Sequence, residues 1–148
     1  MSRLTRHVGA ALAMSIVLLA SCAGEYGTDT SYEAGLQPGD ADALMAPIER
    51  LVRQTVKPGS GAIAVATPPS GASAISPQLR ADLTQEGYQV AAPDDAAKHL
   101  LGYMITPVAD QMLLRVFLDQ LDGAQLYARD ASGRLQPSGP LAVRRSDG

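Results

Sequence analysis

The chain holds a single cysteine, Cys22, and its place limits what the rest of the sequence can build. Residues 1–7 carry Arg3 and Arg6 and no acid. Residues 8–20 are an apolar run broken by one hydroxyl, Ser15, and Leu19-Ala20-Ser21 then leads straight into Cys22. A basic start, an apolar stretch of this length and a small-residue junction together make a secretory signal. The run is short of the ~20 residues that a bilayer-spanning helix needs. A signal peptide over residues 1–21 is therefore expected, and any folded domain has to lie beyond it. One cysteine also excludes a disulfide framework and a multi-cysteine metal site.

The junction Leu19-Ala20-Ser21-Cys22 has the form of a bacterial lipobox. A branched apolar residue stands three before the cysteine, small residues let a peptidase reach the bond, and the thiol sulfur takes a diacylglycerol. Cys22 is the predicted lipidation site, and that covalent lipid is the one non-protein group expected. Several acyl chains on one cysteine anchor a protein far more firmly than one chain does. Ala23 occupies the place where Asp signals retention at the inner membrane, so delivery to the outer membrane, on its periplasmic face, is expected.

Of the formal net charge of −3, Arg3 and Arg6 supply two positive charges, which leaves −5 from Cys22 onward. With no basic stripe, and Arg144-Arg145 as the one basic pair near the end, nothing draws the chain to nucleic acid. Aromatic residues make up 4% and Trp is absent, so a core must come from Leu, Val, Ile, Ala and Met. Small aliphatic cores are marginal, and a partner or an anchor would help hold one.

Residues 22–41 are rich in Gly, Ser, Thr and acids and read as the lipidated cysteine followed by a flexible linker, with Tyr26 and Tyr32 as aromatic exceptions. Helical spacing begins beyond it: Leu44, Met45, Ile48, Leu51, Val52 and Val56 form one stripe. Asp40 or Asp42 is the expected cap, and Pro47 must sit in the first turn or bend the helix. Residues 61–66 read as a short buried strand. Ser76-Pro77 opens a second helix with Leu79 and Leu83, and Gly87 ends it. Residues 88–91 are another strand. Leu101, Tyr103 and Ile105 alternate, as do Met112, Leu114, Val116 and Leu118, with Arg115 and Asp119 opposed to them. Asp122-Gly123 is the expected hairpin turn, Ser132-Gly133 a second, and Leu141-Ala142-Val143 a final apolar trio. The predicted fold over residues 42–148 is α+β: two helices on one face of a small, mainly antiparallel sheet.

Candidate chemistry is sparse. Lys57-Pro58-Gly59-Ser60-Gly61 lacks the Gly-Lys-Ser/Thr ending of a phosphate loop and precedes a strand, so it reads as a turn. His99 is the one histidine beyond the signal segment, too few for a metal cluster, and no serine sits in a nucleophile motif. Asp94-Asp95 and Asp119 with Asp122 are paired acids without EF-hand spacing, which suits turns and caps. No catalytic, cofactor-binding or metal-binding residue is expected, and the domain reads as a structural or binding module rather than an enzyme.

Several stretches resemble the TrbH family of conjugal-transfer lipoproteins. They are Gly61-Ala62-Ile63-Ala64-Val65, the joint Leu79, Leu83, Gly87-Tyr88-Gln89-Val90, the run Leu101-Gly102-Tyr103-Met104-Ile105, Asp122-Gly123, and residues 137–145 with the closing Arg144-Arg145. The resemblance spans most of residues 43–145. It implies a lipid-anchored structural component of a type IV secretion, mating-pair-formation apparatus. Its partners would be the outer membrane and other periplasmic or outer-membrane proteins of the channel. An envelope lipoprotein that serves as adaptor in another periplasmic assembly is the alternative.

Overall fold

The computed structural model describes residues 30–92 and 95–145. Their elements run in the order β1 (Tyr32–Glu33), α1 (Asp40–Thr55), β2 (Ile63–Val65), α2 (Ser76–Gln85), β3 (Val90–Ala91), β4 (His99–Val108), β5 (Gln111–Leu118), β6 (Leu121–Arg129), β7 (Leu135–Pro137) and β8 (Ala142–Arg145). The strands form one sheet in the order β3-β2-β4-β5-β6-β7, with β1 also on β4 and β8 also on β6.

The meander β4-β5-β6 is antiparallel, as its alternation requires. Leu101, Tyr103 and Ile105 lie opposite Leu118, Val116 and Leu114 in register. All six side chains are fully buried in the core cluster with Leu44, Ile48, Leu79 and Leu83 of the helices. The sheet as a whole is mixed rather than mainly antiparallel: β2 runs parallel to β3 and β4, and β1 runs parallel to β4. The reason is connectivity. Helix α2 bridges β2 and β3, and a helical crossover returns the chain in the same direction.

Four local expectations are corrected. The β5–β6 turn is Asp119-Gln120, because Leu118 pairs with Leu121, and Asp119 sits at φ 53. Asp122-Gly123 lies inside β6 instead, paired with Phe117 and Val116. Ser76, a good N-cap by type, is instead the first residue of α2: the N-cap position is Ile75, and Ser73 Oγ just before it accepts the N–H of Ser76 at 2.7 Å and of Ile75 at 3.1 Å. Neither Asp40 nor Asp42 caps α1: its N-cap is Gly39, with φ 92, and Asp40 is the first helical residue. Finally, the last part of the segment read as a linker belongs to the fold. Tyr32 and Glu33 pair with Met104 and Ile105, and buried Ser31 accepts the Tyr103 N–H at 3.1 Å.

Gly87 ends α2 as expected. It adopts φ 88, its N–H donates to Thr84 O, and the Tyr88 N–H donates to Leu83 O, the double bond pattern that closes a helix through a left-handed residue. The Tyr88 hydroxyl then donates to Val56 O just past α1, which ties the ends of the two helices together.

Candidate functional site

Cys22, the whole signal segment, Tyr26 and Asp94 lie outside the described residues. Among those described, Asp95 is exposed in the connection to β4. The remaining acids and the histidine fall into separate clasps.

His99 opens β4. Its Nδ1 lies 2.8 Å from Asp119 Oδ2, and its Nε2 lies 3.4 Å from Ser60 Oγ. Sequence spacing gives no hint of this grouping, because the three residues come from a loop, a strand start and a hairpin tip. The order serine, imidazole, carboxylate is that of a hydrolase triad. The serine contact, however, is beyond the about 3.2 Å reach expected of a nucleophile and its base. The remaining bonds are structural. Asp119 Oδ1 accepts the Leu100 N–H at 2.9 Å, the Asp119 N–H donates to Leu100 O at 3.0 Å, and Lys98 Nζ donates to Ser60 O at 2.8 Å. The cluster pins the 57–61 loop and the β5–β6 turn to the start of β4.

Asp122 is the most enclosed acid of the meander. Its Oδ2 accepts from Arg115 Nη2 at 2.7 Å and from Arg144 Nε and Nη2 at 3.1 and 2.7 Å. Burial opposes its ionisation, but the bonds and charges of the two arginines outweigh that and hold the carboxyl below its ordinary value. Arg115 in turn lies over the Phe117 ring, 4.8 Å from its centroid. Arg144, largely exposed on β8, is the second partner of this clasp, which fastens β8 to the sheet.

Asp40 forms the third clasp. Arg129 reaches it from the end of β6 with Nη1 on Oδ1 at 2.9 Å and Nη2 on Oδ2 at 2.7 Å, a forked pair. The Arg129 bonds are the main reason its carboxyl lies below the usual carboxylate range. A fourth cluster gathers around Tyr103 in the core. Its hydroxyl donates to Glu33 Oε1 at 2.6 Å and lies 2.6 Å from Ser76 Oγ and 2.9 Å from Ser73 Oγ. Burial, with Glu33 adding to it, pushes the phenol well above its ordinary value. This network holds β1, and so the exit of the N-terminal segment, against the body of the fold.

Among the described residues no three His, Cys, Asp or Glu gather where they could hold a metal ion, and no helix is long and apolar enough to cross a membrane. The geometry defines a one-layer mixed sheet with two helices on one face, closed by arginine–carboxylate clasps. The family model for the conjugal transfer protein TrbH matches residues 23–147, so the chain belongs to the TrbH family and has a role in conjugal transfer by type IV secretion. Neither a curated protein nor a solved structure matches it significantly.

Proposed function

We propose that this TrbH-family protein is a lipoprotein held on the periplasmic face of the outer membrane through Cys22, where it acts as a structural, non-catalytic part of the transfer apparatus. The observation that carries this reading is the junction Leu19-Ala20-Ser21-Cys22, which stands directly before residue 23, where the family match begins. The folded part supports the structural role. Two of its buried carboxylates, Asp40 and Asp122, are spent on arginine clasps within the domain, and its polar core cluster is used to hold β1 in place. The tether is also short. Ser31 is already buried, so residues 23–30 alone separate the anchor from the fold and span at most about 30 Å when fully extended. The domain therefore works close to the membrane surface.

Metabolic labelling with a radioactive fatty acid tests the anchor. Label in the wild type and none in Cys22→Ser is expected; equal label in both would refute lipidation. Fluorophosphonate labelling tests the non-catalytic reading of the His99 cluster. Ser60 is expected to stay unmodified, and labelling lost in Ser60→Ala would make the protein a hydrolase.

A further inference from the structure

A sheet with one face on its core and one face in water normally alternates apolar-in and polar-out. This one does not. The inward positions of β4, β5 and β6 meet the helices, as the core requires. Many outward positions are apolar as well: Met104 on β4, Leu113 and Phe117 on β5, Ala124 and Leu126 on β6, with Tyr32 of β1 beside Met104. Leu126 is 40% exposed and Tyr32 44%. Phe117 is itself buried, with the Arg115 guanidinium over its ring, so the open part of the face lies around Leu113 and Leu126. The charged side chains at outward positions of β4, β5, β6 and β8 are Arg115, Asp122 and Arg144, a cluster of net positive charge in a chain that is acidic overall.

Two hollows lie side by side here and share Ala124. One, about 340 Å³, is bounded by Arg115, Asp122 and Arg144, and the other, about 300 Å³, by Leu113, Leu126 and Pro140. Among the described residues, the buried side-chain polar atoms without a hydrogen-bond partner are Thr106 Oγ1 and Asp122 Oδ1. Both belong to side chains on this face.

We infer that this outward sheet face is the docking surface for another protein's amphipathic helix. That helix lays apolar side chains over Leu113 and Leu126 and sets carboxylates against Arg115 and Arg144. Charge selects the occupant. A second copy of this chain would bring the same arginine cluster to the face, whereas an acidic helix complements it. The chain's own residues 23–29 are too few to cover four strands, and under the reading above Cys22 draws them toward the membrane. A helix on this side would give the sheet the covering that α1 and α2 give the other face. The inference rests on the proposed role only in supposing that the partner belongs to the transfer apparatus.

The test is photocrosslinking of the full-length lipoprotein in mating cells, with benzoylphenylalanine placed at Leu126 or, on the helix side, at exposed Arg50. The expected result is a product from position 126 and none from position 50. Mass spectrometry should find in it a peptide of another protein that carries both apolar residues and acids. Arg144→Glu should cut its yield about tenfold or more, as loss of a central charged contact does. No product, equal products from both positions, or a product joining two copies of this chain, a lipid or residues 23–29 would each overturn the inference. A product with a protein unrelated to transfer would keep the docking face and refute the proposed apparatus role.

Discussion

Pro47 lies in the eighth position of α1 and has no N–H to give the carbonyl of Ala43, one turn back. That carbonyl is reached instead by the Tyr127 hydroxyl, at 3.3 Å, from the neighbouring layer. The same hydroxyl lies 3.0 Å from Gln125 Oε1, so its single proton is shared between the two oxygens, and burial pushes its pKa up to about 12. Sequence showed that Pro47 had to be accommodated; it could not show that a residue eighty positions later would do it. Tyr127→Phe is expected to cost about 1 kcal/mol in urea unfolding, the worth of one such bond. In a Pro47→Ala background, where the helix regains its own N–H, the cost should shrink, and a double-mutant cycle measures the difference. Asp40 was misread for a similar reason. An acid before a helical stripe looks like a cap, and only the folded chain brings Arg129 to it. Arg129→Ala leaves the Asp40 carboxylate with the Gln37 N–H as its remaining partner and should lower the midpoint of urea unfolding. Because pairing lowers the folded-state pKa of Asp40 and Asp122, their contribution is complete above the ordinary carboxylate value of 3.8. It is lost as pH falls below that value through the folded pKa. Acid titration of the unfolding free energy should show this loss, and Asp40→Asn should flatten it.

At the scale of elements, alternation proved a stronger guide than turn chemistry. The face Met112, Leu114, Val116, Leu118 is buried as its period demands, and Arg115 turns outward. Asp-Gly is a favoured hairpin pair, yet the register that keeps Leu118 opposite Leu121 moves the turn to Asp119-Gln120. Gly123 lies under Leu141 instead: a Cβ there would come within 3.3 Å of Leu141 Cδ1, which would have to give by a few tenths of an ångström. The bonds of Ser73 to the start of α2 and the pairing of β1 were not legible, because both depend on Tyr103 and Glu33, which are far apart in sequence. Val116→Asp places a charge in the core and should unfold the domain, so that no cooperative melt remains. Arg115→Ala should keep a cooperative melt, since Arg144 still holds Asp122. A Val116→Asp protein that melts like the wild type would mean that the register is wrong.

Across the whole molecule, the helix–sheet arrangement was readable from period and turns, whereas the parallel part of the sheet was not, because no local signal says beside which strand β2 will lie. Ala23→Asp is expected to move the protein from the outer to the inner membrane in density-gradient fractions, and a wild type found mainly in the inner membrane would refute the outer-membrane assignment. The central claim is that an anchored, folded domain is a working part of conjugal transfer. Mating frequency of a strain deleted for this gene and complemented from a second plasmid measures it directly. The deletion should abolish transfer, the wild type should restore it, and Cys22→Ser and Val116→Asp should each fail to do so. Transfer at the wild-type frequency in the uncomplemented deletion would contradict the claim.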